Sequence, residues 1–393
     1  MDTEDYVVIT LPELDTTRSA VRGPRAGLRG APSIDELGVE PKTLDRAGVR
    51  NESARGNLVV RAGVPLRLIA PREATPEIEA AAAASPNLWG LEAVGALGSS
   101  RTGAGITVAV LDTGCDTAHP AFARLKAAGK IVGQNFTAGA IGDVTDTQGH
   151  GTHCAGTICG GTVDGRRIGV APGIDKLVIG KVLGAGGGDN AKILQAIQWA
   201  ASQGAQIISM SLGIDFPGWV EELVAQRGLP REAATSVALR DYRETVSVFG
   251  KLSDFLSAFG VLVVAASGNE SDRPRYSIDK SPPAASANII SVGAVGRGAQ
   301  GYAIAEFSNT GCDLVAPGVD IVSARKGGGV STKSGTSMAT PHVAGVAALW
   351  AEELLSQGNL SHQTLKAELL ASAKPIPGGA LDDFGSGLAT APA

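Results

Sequence analysis

From Gly105 onward the chain alternates short, continuously apolar runs with stretches of helical character, and this alternation narrows the fold more than any other feature. Residues 106–111, 177–182, 207–210, 261–266 and 289–295 are rich in Val, Ile and Leu, with little polar alternation. A strand wetted on one face alternates apolar and polar residues, whereas one covered on both faces does not. Residues 150–158, 190–203 and 252–259 lie between these runs and read as helices. The pattern predicts an α/β fold: a three-layer, mostly parallel sheet with helices on both faces, preceded by a short N-terminal segment. Sites in such sheets gather at the carboxyl ends of strands. Asp112 ends one predicted strand and Asn269 follows another.

A chain of 393 residues that is 44% hydrophobic can bury a large core, but with 4% aromatics that core must be built from Ala, Val, Ile and Leu. The net charge of −5 gives no reason to expect nucleic acid or an anionic membrane as partner. The start, Met1-Asp2-Thr3-Glu4-Asp5, is acidic and unlike a secretory signal. No run approaches the ~18 apolar residues of a membrane span. Cys115, Cys154, Cys159 and Cys312 show no metal-type spacing. They are expected to be buried free thiols rather than disulfides, which, with no visible signal, favours a cytoplasmic location over secretion.

Residues 1–84 form a separate region, partly disordered, ahead of a main domain over 85–393. Within it, 7–11 and 57–70 read as short strands and 77–84 as an Ala-rich helix or linker. The Arg-, Gly- and Pro-rich stretch 18–55 reads as loop or disorder.

Three local motifs carry chemistry. Ser337 sits in Gly335-Thr336-Ser337-Met338-Ala339-Thr340-Pro341-His342, at the mouth of an apolar helix. Asp112 closes a strand in Val110-Leu111-Asp112-Thr113-Gly114, and His150 opens His150-Gly151-Thr152-His153-Cys154. A serine oxygen is a poor nucleophile until a base takes its proton, and the base needs a carboxylate to orient it. A helix start also offers free N–H groups and positive dipole to a developing oxyanion. Taken singly, Ser337 could be a helix cap and Asp112 an Asx turn. His153 and Asp116 are the nearest rivals for the base and its partner, while His119, His342 and His362 read as packing or surface residues.

Together with Gly169-Val170-Ala171-Pro172, Ser209-Met210-Ser211-Leu212-Gly213 and Ser267-Gly268-Asn269-Glu270, these blocks resemble the subtilisin-like serine proteases from about residue 85 to the end. The order Asp, His, Ser is that of subtilisin. The resemblance implies a serine endopeptidase acting through an acyl-enzyme, either a general intracellular protease or a dedicated processing one. In it Ser337 is the nucleophile, His150 the base, Asp112 its orienter and Asn269 a side-chain oxyanion donor. It implies no metal or organic cofactor in the chemistry, and protein or peptide segments as partners. Such substrates would be held as an added strand between Gly186-Gly187-Gly188 and Ser211-Leu212-Gly213. The side-chain pocket would be bounded by Ser211, Leu212, Gly213, Ala265, Ala266, Ser267 and Gly268, with Glu270 at its rim.

The N-terminal region occupies the place of the family's pro-segment, a folding template and inhibitor, although 1–84 lacks a clear pro-domain pattern. Autoinhibition by this region is therefore one expectation, and a retained accessory or targeting module the alternative. An insertion over about 214–250 reads as a flap that narrows substrate choice, or as a surface elaboration. Many relatives hold calcium with a carboxylate after His-Pro. Here His119-Pro120 is followed by Ala121, and loop 160–167 offers only Asp164, so the usual strong site is expected to be absent. Cys154 follows the His block as in proteinase K and reads as a buried thiol near His150. The rival function is a catalytically silent peptide-binding or regulatory protein on the same scaffold. An α/β-hydrolase would need the order Ser, Asp, His and Gly-x-Ser-x-Gly.

Overall fold

The apolar runs become strands of one eight-stranded sheet in the computed structural model. The structure describes residues 3–12, 33–84, 88–185, 187–299 and 301–393. The N-terminal region supplies β1 (Glu4–Thr10), β2 (Gly38–Leu44), α1 (Arg46–Ala54), β3 (Leu58–Arg61), β4 (Pro65–Leu68), β5 (Arg72–Glu73) and α2 (Pro76–Ala84). The main body begins with α3 (Trp89–Ala93), β6 (Thr107–Asp112), α4 (Ala123–Ala127), β7 (Ile131–Asn135) and α5 (His150–Cys159). It continues through β8 (Thr162–Val163), β9 (Arg166–Arg167), β10 (Lys176–Lys181), β11 (Gly188–Asp189), α6 (Asn190–Ser202), β12 (Ile207–Met210) and β13 (Leu212–Gly213). Then come α7 (Phe216–Arg227), α8 (Arg231–Ser257), β14 (Leu262–Ala266), β15 (Ile289–Gly298) and β16 (Gly301–Ile304). Last are β17 (Leu314–Pro317), β18 (Ile321–Ala324), β19 (Val330–Ser334), α9 (Thr336–Ser356), α10 (His362–Ala371) and α11 (Leu381–Phe384).

The central sheet runs β16-β15-β14-β12-β6-β10-β7, with β17 beside β15. Its pairings are parallel except β15 with β16. The absence of polar alternation has a direct cause. Val108, Val110, Leu177, Ile179, Ile207, Leu262 and Val264 face an apolar layer shared with α5 and α9. Their neighbours Ala109, Leu111, Val178, Ile208, Val263 and Ala265 face another layer shared with α6, α7 and α8. Each Val, Leu or Ile fully buried there contributes about 1.5–3 kcal/mol.

Part of the expected loop over 18–55 is ordered. β2 pairs with β1 along its whole length, and α1 starts on Asp45, whose carboxylate accepts from Gly48 N at 2.7 Å. Strand β2 was hidden by Glu40, Pro41 and Lys42, which face outward on an edge. The rest of that stretch, up to residue 32, lies outside the described residues, as does the boundary at 85. The three-stranded antiparallel sheet β2-β1-β3 packs Val7, Ile9, Val39 and Val60 into the layer of α6 and α8. Asn190 Nδ2 fastens it by donating to Arg61 O at 2.7 Å.

The stretch 214–250 is a helical hairpin. Asp215 caps α7 by accepting from Gly218 N at 2.9 Å, and Gly228, with φ of 62°, turns the chain out of it. Trp219 packs beneath α8 and donates Nε1 to Asp241 Oδ2 at 3.1 Å. The helix expected at 252–259 is the end of the 27-residue α8.

Candidate active site

The carboxyl ends of β6, β12 and β14 converge on the starts of α5 and α9, and this places the motif residues. Asp112 is the last residue of β6, and its Oδ1 accepts from Thr113 N at 2.7 Å and lies 2.8 Å from His150 Nδ1. His150 is the first residue of α5, entered through Gly149 in the left-handed region at φ 89°. A Cβ on Gly151 would overlap Gly114 O, so glycine there lets α5 approach the end of β6. Both side chains are buried, at 2% and 1% exposure. His150 Nε2 and Asp112 Oδ2 have no partner among the described residues.

Ser337 lies in the first turn of α9 and is fully buried. Asn269 follows β14 at the same end of the sheet. Its Oδ1 accepts from Thr336 N and Thr336 Oγ1, each at 2.9 Å, which aims Nδ2 into the cleft. The rivals are engaged elsewhere. His153 Nε2 lies 3.0 Å from Ile321 O, and burial pushes its pKa down to about 3. Asp116 accepts from Ala118 N and Gly327 N. His342 Nδ1 lies 2.8 Å from Met338 O inside α9, with its pKa pushed down to about 4 by burial.

Residues 103–387 match the model of the Subtilase family. The chain belongs to the subtilase family. It is similar to the intracellular serine protease of Paenibacillus polymyxa, 40% identical over 65% of this chain and 69% of that one. It is also similar to the major intracellular serine protease of Bacillus subtilis (strain 168), 38% identical over 70% of this chain and 77% of that one. Subtilisin Savinase of Lederbergia lenta is 35% identical over 78% of this chain and 97% of its own length. This subtilase is accordingly a serine-type endopeptidase, and its catalysis needs no cofactor.

The cleft of the subtilase holds its own N-terminal chain. β4 lies antiparallel between β11 and β13, with Leu66 opposite Gly188, Leu68 opposite Leu212 and Arg67 opposite Gly213. Beyond β4, Ser337 Oγ donates to Ile69 O at 2.9 Å, and Asn269 Nδ2 donates to Ala70 O at 3.0 Å. Pro71 passes Gly335, and β5 then pairs with β19. Ion pairs of Arg72 with Glu306 and Glu73 with Lys333 fasten the exit. Gly187, Gly188, Leu212 and Gly213 thus line the strand that occupies the groove, and the side chain of Ile69 rests against Gly213. Ser211 sits below them, its Oγ donating to Ser337 O at 3.1 Å. Gly186 lies outside the described residues.

Ala265 belongs to the apolar layer under α8, and Ala266 and Ser267 are fully buried. Gly268 N donates to Thr336 Oγ1 at 3.3 Å. Glu270 is half-buried beside them; its Oε2 accepts from Asn309 Nδ2 at 2.6 Å and burial raises its pKa.

Two supporting residues escaped the sequence reading. Asp146 is buried, and accepts from Gly149 N at 2.7 Å, Thr152 N at 2.9 Å, Thr152 Oγ1 at 2.7 Å and Thr113 Oγ1 at 2.9 Å. Burial alone would raise its pKa, but these donors hold it below its usual value and tie the start of α5 to the end of β6. Its one signal is a carboxylate just ahead of a helix start. Asn309 Oδ1 accepts from Glu270 N and Ser271 N, at 3.2 and 3.1 Å, and so fixes the loop that carries Asn269.

Burial by itself would lower the His150 pKa, but the charge and hydrogen bond of Asp112, with the Cys154 thiol 3.7 Å away, leave it well above its usual value. A raised native pKa means that the proton on His150 stabilises the fold. That contribution is complete below the ordinary value of about 6.5 and is lost as pH climbs through the native one. The Tm advantage of wild type over His150→Gln is therefore expected to shrink from about pH 6.5 upward. Curves that stay parallel across that window would contradict this assignment.

Proposed function

We infer that this subtilase cleaves extended protein or peptide segments through an acyl-enzyme on Ser337, and that residues 65–73 hold it latent until they are removed. In the released enzyme Ser337 Oγ attacks the scissile carbonyl carbon while its proton passes to His150 Nε2. Asp112 holds the imidazole tautomer and balances the imidazolium. Asn269 Nδ2 and the Ser337 backbone N–H receive the oxyanion. His150 then protonates the leaving amine, and water releases the acyl group by the reverse sequence.

The observation that carries the latency is the pair of consecutive carbonyls in the cleft. The Ser337 hydroxyl donates to Ile69 O, so its proton is not on His150, whose Nε2 has no partner among the described residues. Asn269 is occupied by the next carbonyl, Ala70 O. Attack on the Ile69–Ala70 bond needs Ile69 O at the Asn269 amide, so the segment is bound one carbonyl out of place. The backbone contacts supply affinity without a reactive geometry.

Ile69→Asp puts a carboxylate into the apolar space beside Gly213 and forfeits the burial of isoleucine. The full chain carrying it is expected to react with a fluorophosphonate on the order of 10- to 100-fold faster than wild type. Intact mass over time separates inhibitor from accessory module: wild type loses its N-terminal region and Ser337→Ala keeps it. Equal labelling rates, or an N-terminal region that persists in active wild type, would defeat this reading. Absence of any labelling would favour the silent scaffold.

We place its action inside the cell, as with the two relatives named intracellular; its four buried free thiols suit a reducing compartment. We also assign no strong calcium site to the loop over 160–167. Asp164 is the one carboxylate in that loop, and Arg167, which donates to Gly169 O at 2.9 Å and to Val170 O at 2.6 Å, fixes a guanidinium at its end. A site held at 100 times its Kd would add about 2.7 kcal/mol. EDTA is expected to leave Tm unchanged, and a marked fall would contradict the assignment.

A further inference from the structure

We propose that Glu222, on α7 of the inserted hairpin, is a specificity determinant that selects a basic side chain at the third residue before the cleaved bond. This rests on the reading that residues 65–69 lie in the groove as the residues before a cleaved bond would, the misplacement being confined to the Ile69 and Ala70 carbonyls. The register fixes the count. Ile69 rests against Gly213 with its carbonyl on Ser337, so Leu68, Arg67 and Leu66 precede it in order. Leu66 and Ile69 are buried at 0% and 4% exposure, whereas the Arg67 side chain leaves the groove, half exposed, and forms an ion pair with Glu222.

Glu222 is held in place for this. Trp219, Val220 and Leu223 bury the inner face of α7, and the Trp219 bond to Asp241 ties the helix to α8. The adjacent Glu221 is committed to Arg231 at 2.7 Å. Among the described residues, the ion-pair partner of Glu222 is Arg67. Departure of the segment therefore leaves a carboxylate on a fixed helix beside the groove, with no ion-pair partner among the described residues. The hairpin thus adds a charged contact at a substrate position that the groove itself leaves outside.

Two readouts test the assignment on the full chain. In the first, two blocked peptides of the sequence of residues 65–69, each ending in a cleavable anilide and differing by Arg or Glu at the position of Arg67, compete in one tube. The ratio of their kcat/KM values is then independent of how much enzyme is unblocked. Wild type is expected to favour Arg over Glu about five- to tenfold at low salt, less at high salt, and Glu222→Arg to lose or invert that preference. In the second, fluorophosphonate labelling rises in Arg67→Glu and in Glu222→Arg alone, and returns to within about twofold of wild type in the charge-swapped double variant. An unchanged peptide ratio in Glu222→Arg overturns the proposal, as does a double variant no slower to label than the singles. Failure of the underlying reading looks different: Ile69→Asp would then label no faster than wild type.

Discussion

Ser337→Ala is expected to lower kcat for peptide hydrolysis by about 10⁶, the scale of the corresponding loss in subtilisin, and to leave the fold intact. The side chain lost is small. Its contacts are the bond to Ile69 O and a longer one, 3.4 Å, to Ser211 O. Both belong to the latent state, so stability changes little while the acyl-enzyme can no longer form. What remains is the oxyanion geometry around Asn269, which supplies residual catalysis over water of about 10³–10⁴. Progress curves on a fluorogenic peptide, with Tm measured on the same preparation, check both halves. Hydrolysis at an appreciable fraction of the wild-type rate would remove Ser337 from the reaction. A large fall in Tm would show that the residue also carries structure.

The second large effect is expected of Asp112→Asn, a fall in kcat of about 10⁴ with little change in KM. Asp112 Oδ1 accepts two hydrogen bonds, from Thr113 N and from His150 Nδ1. Both bonds fall on one oxygen: an amide oxygen there keeps both but lacks the charge that balances the imidazolium, and an amide nitrogen there loses the Thr113 bond and favours the imidazole tautomer with its proton on Nε2. That tautomer cannot take a proton from Ser337. The missing negative charge also removes what raises the His150 pKa, so the group becomes a weaker base. The kcat–pH profile of the variant should shift its acid limb, where His150 must lose its proton, to lower pH. An unchanged profile with a small loss of rate would point to a different partner for His150.

The central sheet was legible in the sequence because strands buried on both faces leave uninterrupted apolar runs, which chance seldom repeats at such spacing. Helices α5 and α6 were legible from their polar starts and apolar periodicity. The motifs around Asp112, His150 and Ser337 are local strings, and the structure sets two of their side chains 2.8 Å apart. What escaped was long-range. Ile69 and Ser337 are 268 positions apart, and nothing local in Leu68-Ile69-Ala70-Pro71 says which groove it fills. Asn309 and Asp146 act through backbone N–H groups, which leave no composition signal. Strand β2 was concealed by its charged, exposed edge, and the start of the α7–α8 hairpin by the few buried residues of α7, namely Trp219, Val220 and Leu223. The bond of Glu270 to Asn309, a partner far along the chain, likewise left no local signal.

The most direct test combines fluorophosphonate labelling of the full chain with peptide mapping of the adduct and intact mass at each time point. The account predicts a single adduct on Ser337 that forms slowly while residues 1–84 remain attached and fast once they are gone. An adduct on another residue, or immediate full-rate labelling with the N-terminal region still in place, would contradict it.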